Sequence, residues 1–385
     1  MNTTYWRWLL LFSILTFLAA CTAPTSEPRA RMTLSEAFGD DARAGFERAV
    51  EVRSFAFPRD HGPHPSFGTE WWYYIGNLKA ADGRHFGFQF TIFRFGLQPD
   101  EPERESDWAT NQIYMAHFAV TDVAGQRFYA FERFSRGSAG LAGATAEPFR
   151  VWLENWSSTG LSAAGTPMRL QATEGEVAID LTLALGKPPV LQGNQGLSQK
   201  SATIGNASYY YSLTRMPTEG TLTLRGEAIP VTGQSWMDRE WGTSALGDEQ
   251  VGWDWFALQL DDGRDLMFYQ LRLKDGTIDP FSKGVLVAAD GSSRFLARNE
   301  VQLTVLDTWR SPRDNVEYPS GWRLQVPNDG IDLTITPQVR DQELPVTIIY
   351  WEGSVKISGS ATGYGYVELT GYADVVARND GIQIR

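Results

Sequence analysis

Residues Thr69 to Phe90 read TEWWYYIGNLKAADGRHFGFQF, four large half-polar rings in a row followed by a Gly-containing turn and a run of alternating phenylalanines. Alternate side chains of a strand point to opposite faces. As a strand, the first half puts Glu70, Trp72 and Tyr74 on one face and Trp71 and Tyr73 on the other, so rings are wanted on both sides. Asp82-Gly83-Arg84 reads as a hairpin turn, because Gly supplies the positive φ that a tight turn needs. A second stretch has the same build. Trp253 to Leu271 read WDWFALQLDDGRDLMFYQL, again an aromatic strand, an Asp-Gly-Arg turn and an apolar strand. Two such hairpins far apart in one chain point to two related β domains in tandem.

The rest of the chain fits that reading. HFGFQFTIFRF (85–95) alternates through Phe86, Phe88, Phe90 and Ile92, then shifts to Phe93 and Phe95, which suggests a bulge or bend. IYMAHFAV (113–120) places Tyr114, Ala116, Phe118 and Val120 on one side and His117 on the other. Many further short strands follow, separated by Gly, Asp, Asn and Pro. Only LSEAFGDDARAGFERAV (34–50) carries a helical period. The fold expected is all-β and antiparallel, with sandwich or barrel closure. At 385 residues the chain exceeds one ordinary core, so two domains are expected, meeting between Gly242 and Gly252 around WMDREWG (236–242).

The net charge is −12 and no basic block occurs, which argues against nucleic-acid binding, since phosphate neutralisation needs clustered cations. Aromatics make up 13% of the chain, an excess that suits a ring-lined cavity as well as a core. At the N-terminus a short apolar run (9–20) follows Arg7 and ends in Leu18-Ala19-Ala20-Cys21. A run shorter than the roughly 20 residues of a spanning helix, closing on small residues and a cysteine, reads as a lipoprotein signal. Cys21 is the only cysteine, so it is the lipidation site expected and no internal disulfide is available. Residues 1–20 would be removed and 21–52 would form a tether and a short helix. The domains would then be 53–242 and 243–385. Thr22, not Asp, follows the cysteine, which by the sorting rule of enterobacterial lipoproteins favours the outer membrane, facing the periplasm.

Chemistry is sparse. Glu70, set among rings, is either a ligand-lining acid or the partner of an arginine. In WMDREWG, Asp238 and Glu240 share a face with Trp236, while Arg239 and Trp241 take the other. Two carboxyls bracketed by indoles suit a proton donor with a raised pKa, because burial disfavours the charged form; they equally suit a salt-bridged brace between domains. His61 and His64 lie in a Gly/Pro loop without a zinc-binding spacing, so no metal is expected. There is no G-x-S-x-G elbow, no phosphate-binding loop and no dinucleotide fingerprint, which leaves a secreted hydrolase the weakest reading.

HPSFGTEWWYYIGNL (64–78), WMDREWG and YWEGSVKISG (350–359) with GYGYVELTGY (363–372), in that order, resemble the carotenoid 1,2-hydratase and AttH family. The resemblance covers about Phe55 to Tyr372. It implies two consecutive lipocalin-like (calycin-type) β domains around an apolar pocket. In the hydratase branch it implies cofactor-free addition of water to a C=C bond. In the AttH branch it implies a ligand-carrying lipoprotein beside an ABC-type permease. Where the hydratase pattern has His after the aspartate, this chain has Arg239, and the stretch Phe268-Tyr269-Gln270 lacks the pattern's acid. The ligand expected is a long apolar molecule. Asp238, Glu70 and Glu240 are the candidate acids. Trp71, Trp72, Tyr74, His117, Trp236, Trp241, Trp253 and Tyr269 are the candidate lining residues, and Asp238 and Glu70 are expected to border one cavity.

Overall fold

A computed structural model describes residues 32–33, 44–100, 103, 105–244 and 246–374. The signal segment, Cys21 and residues 34–43 of the expected helix lie outside the described residues. Residues 44–50 form a turn and an isolated bridge from Glu47 to Phe67, not helix.

The protein is all-β: among the described residues 57% lie in strands, which form a nearly closed barrel and a half-barrel. Among the described residues, a 13-stranded antiparallel sheet runs from Thr69 to Gly242 and a 10-stranded one from Gln250 to Leu369. In each sheet the aromatic strand that opens it pairs with the strand that closes it. Thr69–Ala80 lies between His85–Gly96 and Glu227–Gly242, and Gln250–Leu260 lies between Asp265–Leu273 and Gly363–Leu369. The two Asp-Gly-Arg turns therefore hold equivalent places. In both, the glycine has φ 88° and the aspartate caps the arginine N–H at 3.0 Å.

Each sheet has its own core. Even-numbered residues of the first hairpin, from Trp72 and Tyr74 to Phe86, Phe88, Phe90 and Ile92, fill the barrel. Phe256, Leu258, Leu260 and Phe268 fill the half-barrel with Trp322 and Trp351. The odd-numbered Tyr73 and Ile75 of the first hairpin join a third cluster between the sheets, where they and Trp236 meet Trp255, Met267 and Tyr269. The chain thus uses both faces of its central strands, which explains the rings on both sides of EWWYY.

The same geometry corrects the expected bulge in 85–95. Pairing of His85–Gly96 with both neighbours is continuous. Phe93 and Phe95 are apolar because their face is covered by other parts of the chain, packing with Met115, Leu246 and Ile348. Gly87 lies where the second sheet packs directly against the first. A Cβ there would stand 2.5 Å from the Tyr366 hydroxyl and 2.7 Å from Ser354 Cβ, so only glycine fits. Buried polar contacts tie the sheets beside it. Asn77 Nδ2 donates to the Gly365 carbonyl at 3.1 Å, and Gln259 Nε2 to the Thr214 and Ser235 carbonyls at 2.7 and 3.0 Å. Asp265 accepts from Lys187 and Arg215 at 2.7 and 2.6 Å.

Candidate functional site

Between the sheets lies a cavity of about 100 Å³, taken as the space open to the centre of a water-sized sphere. One water needs only roughly 10–15 Å³ by that measure, so a compact organic group, or the end of a longer one, fits. The first sheet contributes Trp71, Tyr73, Phe93, Met115, His117, Tyr210, Asp238 and Glu240. The second contributes Trp253, Trp255, Tyr269, Tyr350 and Glu368. Most of the wall is ring or alkyl, and the exceptions are concentrated in a few carboxyls and their partners.

Asp238 is 4% exposed and has no ion-pair partner among the described residues. Its register partners are Tyr73 and Ser212. Ser212 Oγ donates to Oδ1 at 2.5 Å, Trp236 Nε1 to Oδ1 at 2.6 Å, and the Tyr210 hydroxyl to Oδ2. Burial pushes its pKa up to about 7. The three donors oppose that shift and the Glu240 charge adds to it. Glu240, one strand repeat away, is ion-paired instead: Lys200 Nζ lies 2.8 Å from Oε1, and Ser208 also donates to it. The Lys200 ammonium stands 4.7 Å from the Tyr269 ring centroid and 5.3 Å from that of Tyr210.

A second acid centre faces this one. Glu352 and Glu368 are direct cross-strand partners. Two carboxyls in that relation cannot both ionise in a dry site. Burial, then the Glu368 charge, holds Glu352 well above the usual carboxylate range. Glu368 is pushed up to about 7 by burial, with the Trp253 N–H opposing at 2.7 Å and the charges of Asp238 and Glu240 adding to the shift. Tyr73 donates to Glu352 Oε1 at 2.5 Å. The site therefore holds Asp238 and the Glu352–Glu368 pair as two carboxyl centres whose acidity burial weakens, the arrangement that acid–base chemistry at neutral pH needs. Among the described residues no group of three or more His, Cys, Asp or Glu is placed to ligate a metal.

A family model described as AttH-like matches residues 48–372. The chain belongs to the AttH-like family. A crystal structure assigned as an AttH from Nitrosomonas europaea is 33% identical and superposes with a TM-score of 0.77, covering 85% of this chain and 99% of the other. Kievitone hydratase from Nectria haematococca shares the fold at 17% identity and a TM-score of 0.65, over 86% of this chain and 99% of its own. In sequence, this AttH-like chain is 24% identical to kievitone hydratase from Fusarium solani subsp. phaseoli over 213 residues, 52% of this chain and 59% of the relative. It is 24% identical to dehydratase asqC from Emericella nidulans over 187 residues, 46% of this chain and 51% of the relative. The chain thus spans little more than half the length of the curated relatives it matches.

The AttH-like fold sorts the residues singled out in the sequence. Asp238, Glu240, Trp71, His117, Trp253 and Tyr269 line the cavity. Trp236 sits behind it, donating to Asp238 and packing edge-on against Trp255 with centroids 6.3 Å apart. Glu70, Trp72, Tyr74 and Trp241 do not line it, and the shared cavity expected for Glu70 and Asp238 is corrected. Strand alternation sends these four to the barrel side, where Arg94 and Arg239 both grip Glu70. Glu352, Glu368, Tyr73, Tyr210 and Lys200 were not singled out. The two glutamates stand in the very segments YWEG and YVEL that carry the family resemblance, and only the pairing of those segments makes them a pair.

Proposed function

We propose that this AttH-like protein is a cofactor-independent hydro-lyase, adding water to a C=C bond of a largely apolar molecule or removing it. The observation that carries this reading is Asp238, a carboxyl in a ring-lined cavity with no ion-pair partner among the described residues and a pKa pushed up to about 7. In the hydration direction, protonated Asp238 gives its proton to one alkene carbon, and the π pair forms the new C–H bond. The cation left on the adjacent carbon is held by indole and phenol faces, at about 0.5–2 kcal/mol per ring. Water adds to it, and the Glu352–Glu368 pair takes the proton that water loses. Dehydration runs the same steps backwards. The relatives' names, a hydratase and a dehydratase, support the reaction class.

Lys200 refines the substrate. Its ammonium borders the cavity with one carboxylate and two ring faces as neighbours, so a carbonyl or phenolic oxygen on the substrate would find a donor there. The cavity size suits one end of a long molecule better than its whole length. The test is turnover of a prenylated phenol and of an acyclic polyene by purified protein in ¹⁸O-labelled water. One labelled oxygen in the product is expected. Quenching of Trp fluorescence by the same compounds without label would replace the enzyme by the ligand-carrier reading, with an ABC-type permease as its partner.

The envelope location is part of the same proposal. We infer a lipid anchor at Cys21, holding the protein at the outer membrane and facing the periplasm. Cys21→Ser is expected to move the protein from the membrane to the soluble or unprocessed fraction and to abolish labelling by a fatty acid. Label retained on the variant would refute the anchor, because the chain has no other cysteine.

A further inference from the structure

Hydration leaves its two acid centres out of step. The donor ends a turnover without its proton and the acceptor ends with one too many, so a proton must return before the next cycle. Asp238 and Glu368 border the cavity and can exchange there while it is open. Glu352 is different: it is 1% exposed, lies behind Tyr73 and Tyr350, and its Oε2 has no hydrogen-bond partner among the described residues. A bound apolar substrate would close the cavity side as well.

A chain of polar groups leads away from it towards the surface. Tyr350 is two residues before Glu352 in one strand, so its side chain lies on the same face, next to that carboxyl. The Tyr350 hydroxyl lies 2.7 Å from His117 Nδ1, and His117 Nε2 lies 3.1 Å from Glu132 Oε1. His117 is 1% exposed, whereas the Glu132 side chain keeps 17% of its surface. Glu132 is fixed by Thr347, whose backbone N–H donates to both carboxylate oxygens at 3.0 and 3.2 Å and whose hydroxyl donates at 2.8 Å. Burial acts to raise the Glu132 pKa, but His117 and Thr347 together hold it below its ordinary value, so Glu132 is the acceptor at Nε2. That leaves Nδ1 as the acceptor of the Tyr350 O–H. Phe93 and Thr91 face the ring without charge. The titratable groups bearing on the path are Glu132, Tyr350, Glu352, Glu368 and Tyr73.

We propose that Glu132, His117 and Tyr350 form a proton path that joins solvent to the Glu352–Glu368 pair. A proton leaving the pair passes to the Tyr350 oxygen as the Tyr350 proton moves to His117 Nδ1. The Nε2 proton then moves to Glu132 and on to water, so every group except the pair ends with the number of protons it began with; His117 ends as the Nδ1–H tautomer and is reset when its ring turns over and re-forms the two hydrogen bonds. Uptake is the reverse. His117 is a positioning and relay residue in this scheme and touches no reacting carbon.

The proposal rests on the hydro-lyase reading for its purpose, but its test needs no substrate. Infrared spectra near neutral pH should contain a carboxylic acid C=O band that Glu352→Gln or Glu368→Gln removes. On rapid transfer to D₂O, that band should shift at the wild-type rate only with the path intact. Glu132→Gln and His117→Ala are each expected to slow the shift several-fold or more, and imidazole in the buffer should restore it in His117→Ala. A purely structural histidine would not be rescued. Should His117→Ala fail to fold, Glu132→Gln, which retains a partner for Thr347, decides alone. Equal exchange rates in wild type and variants, or no such band in the wild type, would overturn the path and leave the ¹⁸O result unaffected.

Discussion

Asp238→Asn is expected to lower turnover by about 10²–10⁴-fold, the contribution of a positioned general acid, with little change in ligand affinity. The substitution keeps the shape of the side chain. Asn Oδ1 still accepts from Ser212 and Trp236, and the Tyr210 hydroxyl turns to accept from Nδ2. Only the transferable proton is lost. The same variant has a signature that needs no substrate. The folded Asp238 keeps its proton up to about pH 7, whereas an aspartate at its ordinary value of 3.8 has long lost it. Between those values the folded state binds more protons than the unfolded one, so stability falls as pH rises through the window and levels off above it. Glu352 and Glu368, also raised, add the same sign. Asp238→Asn removes one of these three contributions. Its urea midpoint should therefore decline less between about pH 4 and pH 7 than that of the wild type. Parallel curves for the two proteins would mean that Asp238 is ionised in the folded state and cannot be the acid.

Much of the fold was legible because it rests on local rules. Period-two alternation, the two Asp-Gly-Arg turns and the ring content fix strands, hairpins and a two-sheet plan without long-range information. The site was legible only in part. Alternation separates Asp238 and Glu240 from Arg239 in WMDREWG, and the structure keeps that separation. It also separates Trp71 and Tyr73 from Glu70, Trp72 and Tyr74. Alternation alone does not say which of those faces meets the Asp238 side of a strand far away in sequence. The register Tyr73 to Asp238 and Trp72 to Arg239 decides it, and that register is a tertiary fact. The pairing of Glu352 with Glu368 was hidden for the same reason. The apparent bulge at Phe93 arose because the face that carries the buried polar Gln89 and Thr91 becomes apolar at Phe93 and Phe95, where other parts of the chain cover it, and alternation alone reads that change as a shift of phase.

Arg239 adjoins Asp238 in sequence, but its partner lies on the other face, and removing it gives the largest stability effect expected in this protein. On the barrel side, Glu70 and Arg239 are both fully buried, with Arg94 as the second cation on Glu70. Burial alone would raise the Glu70 pKa, but Arg94, Arg239 and His64 hold it well below its ordinary value. Arg239 does more than neutralise. Its guanidinium donates to the Gly62 carbonyl at 2.6 Å and to the Trp71 and Glu240 carbonyls at 3.2 Å, and it lies 4.0 Å from the Trp72 ring centroid. It thereby pins the Asp60–His64 loop to two central strands. Arg239→Met keeps the length of the side chain and removes all of this, leaving a buried carboxylate with half its compensation. A loss of about 3–5 kcal/mol is expected, the range for breaking a buried ion pair by removing one partner. Arg239→Lys should recover only a fraction, because a single ammonium cannot reach the carboxylate and the carbonyls together. Acid sensitivity should change with it. Glu70 now contributes stability that is present above its unfolded value of about 4.5 and is lost as pH falls towards its depressed folded value. With one cation gone the folded value rises, and less stability remains to be lost on acidification. The neutral-pH decline assigned to Asp238 should persist in Arg239→Met, since that carboxyl is on the other face of the same strand. If that decline vanished while global stability held, Arg239 would be acting on Asp238 after all, and the separation of brace from acid would be wrong.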